Sequence, residues 1–149
     1  MTRSKSLIVS FAASASLIAT AALAGTGIDN ASKRFATALT GAAEVPGPGD
    51  PDGSGKAILE LSPAQNHLCV KLHVENIQPA TMAHVHIGVA GQAGDAVVEL
   101  DPPTKGTSST CKDIPENLTQ ALLKSPADYY VNVHTADFPK GALRGQLKK

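Results

Sequence analysis

Tryptophan is absent from this 149-residue chain, and three phenylalanines and two tyrosines are its only other large aromatic residues. So few rings leave no evident stacking platform for bases or sugars. An excess of either charge is missing as well: thirteen Lys and Arg balance thirteen Asp and Glu. Phosphate binding needs clustered basic residues, so nucleic acid is a poor candidate partner. No G-x-S-x-G elbow is present to present a catalytic serine. The run Gly88-Val89-Ala90-Gly91-Gln92-Ala93-Gly94-Asp95 is rich in glycine but lacks the Lys-Ser/Thr of a phosphate loop. Carboxylates are present, yet no spacing among them marks a glycosidase pair.

Long apolar runs are also scarce. The one that exists, Leu7 to Ala21, follows Arg3 and Lys5 and ends at Ala22-Leu23-Ala24. A basic start, an apolar middle and an A-x-A end predict a secretory signal over 1–24, cleaved after Ala24. The run is short of the about 20 residues a spanning helix needs, so no stable membrane span is expected after cleavage. Removing Arg3 and Lys5 leaves eleven basic against thirteen acidic residues, a formal charge of −2. The expected organisation is a lead-in over 25–34 and one domain over 35–149, long enough for one core and not two. The product would be secreted or periplasmic.

Cysteine is used twice, at Cys69 and Cys111. An even count in an exported chain favours one disulfide. Closing a loop of about 40 residues is worth roughly 4 kcal/mol in the chain-entropy model. The spacing does not suit a C-x-x-C metal pair.

What the chain has in quantity is short alternating segments between Gly/Pro turns. Phe35 to Thr40, Ala57 to Leu61, Leu68 to Glu75, Ala83 to Ile87, Ala96 to Leu100, Tyr129 to Thr135 and Ala142 to Leu147 read as strands. Gly106 to Cys111 reads as an edge segment. Gly41 to Gly55 is turn chemistry, and its Asp50 and Asp52 lack the register of an EF-hand. Asp113 to Lys124 predicts one short helix, capped by Asp113 or a neighbour, with Pro115 and Glu116 in its first turn. Ala136 to Gly141 predicts a hairpin between the last two strands. The fold class is therefore all-β: an antiparallel β-sandwich or Greek-key barrel, superoxide-dismutase-like or immunoglobulin-like, with one short helix.

Alternation sends successive side chains to opposite faces, so His84 and His86 share one face, and Tyr130, Asn132 and His134 share another. If those faces meet, three imidazoles converge. They then make either a copper or zinc site or a hydrogen-bonded cluster. Three neutral imidazoles plus a water form an open site, with Asn132, Asp137 or Glu44 positioned to orient the rings. In the second case Arg144 and Gln146 have the parity to join Asn132 in a structural network. A metal near 2 Å from each nitrogen asks that the nitrogens lie within about 3–4 Å of one another. His67 and His73 fall on polar positions and are expected to face solvent.

Several stretches together resemble the CHRD domain, the module found in chordin and in many exported microbial proteins. They are Leu39-Thr40-Gly41-Ala42-Ala43-Glu44-Val45-Pro46, Ala83-His84-Val85-His86-Ile87-Gly88 with Ala90-Gly91, and Gly94-Asp95-Ala96-Val97-Val98. The others are Tyr129-Tyr130-Val131-Asn132-Val133-His134-Thr135, Phe138-Pro139 and Gly141-Ala142-Leu143-Arg144-Gly145-Gln146-Leu147. The resemblance spans nearly the whole mature chain, and the Cys69/Cys111 pair is similar to one in bacterial members. It implies an extracellular β-rich module and little about function; the chain itself is expected to be a non-enzymatic binding or interaction module for an unidentified extracellular protein or small ligand. A narrower likeness links His84-Val85-His86 and His134 to the copper ligands of copper/zinc superoxide dismutases. A bridging histidine and a zinc cluster of His and Asp are lacking, which leaves dismutase activity as the weaker alternative to simple copper or zinc binding.

Overall fold

The computed structural model describes residues 31–148. The signal segment 1–24 with its cleavage point, and most of the lead-in, lie outside the described residues. Eight strands follow one another: β1 (Lys33–Thr40), β2 (Ser54–Ser62), β3 (His67–Glu75), β4 (Ala80–Ile87), β5 (Ala96–Leu100), β6 (Thr107–Asp113), β7 (Tyr129–Thr135) and β8 (Leu143–Gln146). One helix, α1 (Glu116–Lys124), precedes β7. Every pairing is antiparallel, and the strand order is β5-β4-β7-β8-β1-β2-β3-β6. The all-β architecture read from the alternation is what forms: a nearly closed, barrel-like sheet with a single short helix. No helix among the described residues is long and apolar enough to cross a membrane.

The sheet has two halves. β1, β2, β3 and β6 form one, and β5, β4, β7 and β8 the other; the seam between β1 and β8 is a single pairing, Thr40 with Arg144. Period-two patterning drives the closure. Leu39, Leu59, Leu61, Val70 and Leu72 from the first half meet Val85, Val131, Val133 and Leu143 from the second in one core. Each such side chain contributes about 1.5–3 kcal/mol when fully buried. Leu122 of α1 reaches the same core.

β7 differs from its neighbours because all seven of its residues are buried. Tyr129, Val131 and Val133 point into the core, and Tyr130, Asn132 and His134 point away from it, yet the outer row is covered too. A strand covered on its polar side must find partners for every donor and acceptor there. That requirement positions the site described below.

Two local expectations give way. Asp113 does not cap the helix: it ends β6 opposite His67, and the His67 Nδ1 lies 2.7 Å from its Oδ1. Pro115 holds the cap position instead, and no side chain bonds the first turn. Cross-strand pairing on β3 claims the carboxylate before the helix can. His67, half-exposed, takes that carboxylate as its partner, and His73 faces solvent as expected, 3.0 Å from Glu75. β1 begins at Lys33, two residues earlier than the alternation suggested.

Cys69 and Cys111 pair directly across β3 and β6 and are joined by a disulfide, 42 residues apart in sequence. β6 is an edge strand with one sheet neighbour and only one well-buried residue, Thr110. The bond fastens it where packing does little. Reduction, or the pair Cys69→Ala and Cys111→Ala, is predicted to lower unfolding free energy by about 3–4 kcal/mol. Denaturant unfolding with and without reductant measures this, and β6 amides are expected to lose hydrogen-exchange protection first.

Candidate functional site

β4 and β7 are sheet neighbours, with Met82 opposite His134, His84 opposite Asn132 and His86 opposite Tyr130. The two outer faces thus meet, and the three imidazoles gather as their parity allowed. One ring nitrogen from each of His84, His86 and His134 lies within 4.8 Å of the other two. The rings contact edge to face, with centroids 5.3 Å apart for His84 and His86 and 5.1 Å for His84 and His134.

The hydrogen bonds define which nitrogens face the cluster. His86 Nδ1 lies 2.8 Å from the carbonyl oxygen of Gly94, and His134 Nδ1 lies 3.1 Å from that of Pro139. A carbonyl only accepts, so each Nδ1 carries the proton and each Nε2 is left with a lone pair. His134 Nε2 sits 3.2 Å from His84 Nδ1, which donates to it. His86 Nε2 is buried and has no hydrogen-bond partner. Burial holds the titration of both His84 and His134 below the ordinary imidazole value. Neighbouring imidazoles push the same way, so the charged forms of His84 and His134 are disfavoured.

The loop after β4 locks this face. Arg144, only 2% exposed, donates from Nη1 to the Gln92 carbonyl at 2.9 Å and from Nη2 to the Val89 carbonyl at 3.0 Å. Its Nη2 also meets Gln146 Oε1 at 3.1 Å, and Gln146 Nε2 reaches the Gly88 carbonyl at 2.8 Å. The Tyr130 ring is stacked on His86, with an interplanar angle of 6°, and carries the Arg144 guanidinium 3.5 Å from its centroid. A guanidinium on an aromatic face adds about 0.5–2 kcal/mol and fixes both planes. Gly94 lets the loop pass close to β4, since a Cβ there would strike the Ile87 carbonyl.

Arg144 and Gln146 are thus hydrogen-bonded to each other and to the loop carbonyls. Asn132 lies between His84 and Glu44, interacts with both, and leaves its Oδ1 without a hydrogen bond of good geometry. Glu44 is 5% exposed and packs where only a glycine fits: a Cβ on Gly141, at φ +142°, would collide with its carboxylate. Asp137, the other residue considered for orienting the rings, lies exposed on the hairpin. The backbone carbonyls of Gly94 and Pro139 take that role. Tyr130 was visible as a face-sharing residue, but its stacking role needed the β4–β7 pairing to be known.

Desolvation raises the Glu44 carboxyl from 4.5 to about 7, against the opposing pull of the Val45 amide and Arg144. A raised value means the folded state favours the proton. The contribution is full below the unfolded value and is lost as pH rises through about 7. His84 and His134 have depressed values and act oppositely, contributing above the unfolded value of 6.5 and losing as pH falls. Glu44→Gln isolates the first effect. The stability difference, Glu44→Gln minus wild type, is predicted to grow between pH 5 and 9 by about 1–3 kcal/mol. Urea unfolding at a series of pH values measures it.

Comparison with proteins of curated function and with solved structures yields no match. The family model of the CHRD domain matches residues 35–147, from β1 through the residue after β8. That span holds every residue of the cluster, the carbonyls that fix it and the disulfide. The chain belongs to the CHRD domain family.

Proposed function

We propose that this chain is an exported, non-enzymatic binding module whose ligand is a transition-metal ion, copper or zinc, held by His84, His86 and His134. The observation that carries the reading is the pair of Nδ1–H donors tied to the Gly94 and Pro139 carbonyls, which leaves Nε2 as the lone-pair nitrogen on two rings of a cluster whose ligand atoms lie within 4.8 Å of one another. Metal-ligating histidines are oriented in this way by a bond at the other ring nitrogen. A purely structural cluster would be expected to use His86 Nε2, which instead is buried and unpartnered. Export is supported by the apolar run with its A-x-A end, and the disulfide is compatible with an oxidising compartment.

The residues fit the ion with a small adjustment. Tetrahedral bonds of about 2.0–2.1 Å place ligand nitrogens roughly 3.4 Å apart. The His84–His134 pair is already at 3.2 Å, while the full set spans up to 4.8 Å. A shift of the half-buried His84 ring, the one not tied to a backbone carbonyl, would bring the set closer. The ion would replace the proton shared by His84 and His134, with His84 moving its own proton to Nε2. Neutral rings favour binding, because no imidazolium need be discharged first.

Mature protein is predicted to take up one Zn²⁺ or Cu²⁺ per chain, and saturation at 100 times Kd would raise stability by about 2.7 kcal/mol. His84→Ala, at a half-exposed position, is expected to keep the fold and to weaken uptake at least about tenfold. Isothermal titration and thermal melts read both. A folded wild-type protein that takes up neither ion contradicts the proposal, and so does undiminished uptake by folded His84→Ala. No superoxide turnover above free copper is expected from the loaded protein.

A further inference from the structure

We propose that Met82 supplies the fourth ligand of this cluster and that the thioether makes the site selective for monovalent copper over zinc; this rests on the three-histidine reading. Met82 sits two residues before His84 on the same face of β4 and directly opposite His134 on β7. Directly opposed residues have Cβ atoms about 4.5–5.5 Å apart, within reach of a long side chain. The pattern Met82-Ala83-His84-Val85-His86 thus continues the ligand row to the solvent end of the strand. A register shift between Ala80 and Met82 marks where β4 departs from regular pairing, just before that row begins.

Packing does not account for this methionine. Met82 is 45% exposed and takes no part in the hydrophobic core. Methionine ordinarily fills gaps inside proteins, where its flexible thioether adapts to irregular space. Here the register sets it at the end of the His84–His86 row and across from His134, with two of the three rings already held in orientation. Thioether sulfur is a soft donor that carries no proton, and it binds Cu(I) in preference to zinc.

One residue competes for the fourth position. Glu99 of β5 is paired with His84 and is exposed. Its carboxylate would favour zinc rather than Cu(I). It is not part of the group whose ligand atoms fall within 4.8 Å of one another. Met82 faces His134 across the strand pair, whereas Glu99 faces His84 and interacts with it electrostatically, and the two donors give opposite metal preferences.

The test is an anaerobic competition of Cu(I) between the mature protein and a chromophoric Cu(I) chelator, run beside a Zn²⁺ titration. Wild type, Met82→Leu, Glu99→Gln and His84→Ala are compared, each first shown to be folded by circular dichroism. Met82→Leu is expected to weaken Cu(I) at least about tenfold while leaving Zn²⁺ within about twofold. Copper X-ray absorption is expected to show a sulfur neighbour in wild type that Met82→Leu lacks. Unchanged Cu(I) affinity in Met82→Leu, or a loss seen only in Glu99→Gln, overturns the role of Met82. Uptake that still depends on His84 in that event leaves the three-histidine reading standing. Failure of wild type to take up any of the ions removes both.

Discussion

Burial of β7 on both faces is the constraint on which the rest depends. Its inner row of Tyr129, Val131 and Val133 belongs to the core, where apolar contact is enough. Its outer row of Tyr130, Asn132 and His134 is polar, and an unpartnered polar group in a buried position costs about 1–3 kcal/mol. The fold answers with backbone carbonyls rather than with more side chains. The loop after β4 folds back over β7 and β8, and Arg144 pins it by donating to Val89 and Gln92. Gly94 and Pro139 then accept from His86 and His134. Nearly every polar group in the row is satisfied by this arrangement. Three buried atoms in and beside the row stay unpartnered, His86 Nε2, Asn132 Oδ1 and Glu44 Oε1; among the described residues so do Asn66 Oδ1 and Ser108 Oγ, elsewhere in the fold.

The three in and beside the row separate a scaffold from a site. A network built only to stabilise β7 gains nothing by leaving acceptors empty in a buried place. Here the satisfied half is the buried Arg144 with Gln146 and the carbonyls of the exposed loop. The unsatisfied half opens toward His84 and Met82, which remain partly exposed. The stack of His86, Tyr130 and Arg144 joins the two halves, so the loop that buries Arg144 also sets the plane of a candidate ligand. Glu44 and Gly141 close the other side, with the carboxyl occupying the space a side chain at 141 would fill.

Much of this was legible in the sequence, because parity is local. Alternation alone put His84 with His86 and Asn132 with His134, and the strand and turn pattern gave the all-β class. The resemblance carried by Asn132-Val133-His134-Thr135 and Arg144-Gly145-Gln146-Leu147 agrees with the family match. Neighbourhood was not legible: that β4 lies beside β7, 50 residues on, is a long-range pairing that no local pattern encodes. Nor were the acceptors at Gly94 and Pro139, since a backbone carbonyl has no letter of its own. Met82 escaped because the strand was taken to start at Ala83, one residue past it. The helix cap, open in the sequence between Asp113 and a neighbour, was not legible for a related reason: helix-cap chemistry and cross-strand pairing want the same carboxylate, and only the β3–β6 register decides between them.

The central claim is that His86 and His134 are held as neutral Nδ1–H rings whose Nε2 lone pairs are kept for a metal ion. Long-range ¹⁵N–¹H NMR of ring-labelled protein at pH 7, before and after adding Zn²⁺, reads it directly. The account predicts the Nδ1–H tautomer for both rings in the metal-free protein, with both Nε2 resonances shifting on metal addition while the Nδ1 protons persist. Rings found as Nε2–H tautomers or as imidazolium, with resonances indifferent to the ion, would contradict it.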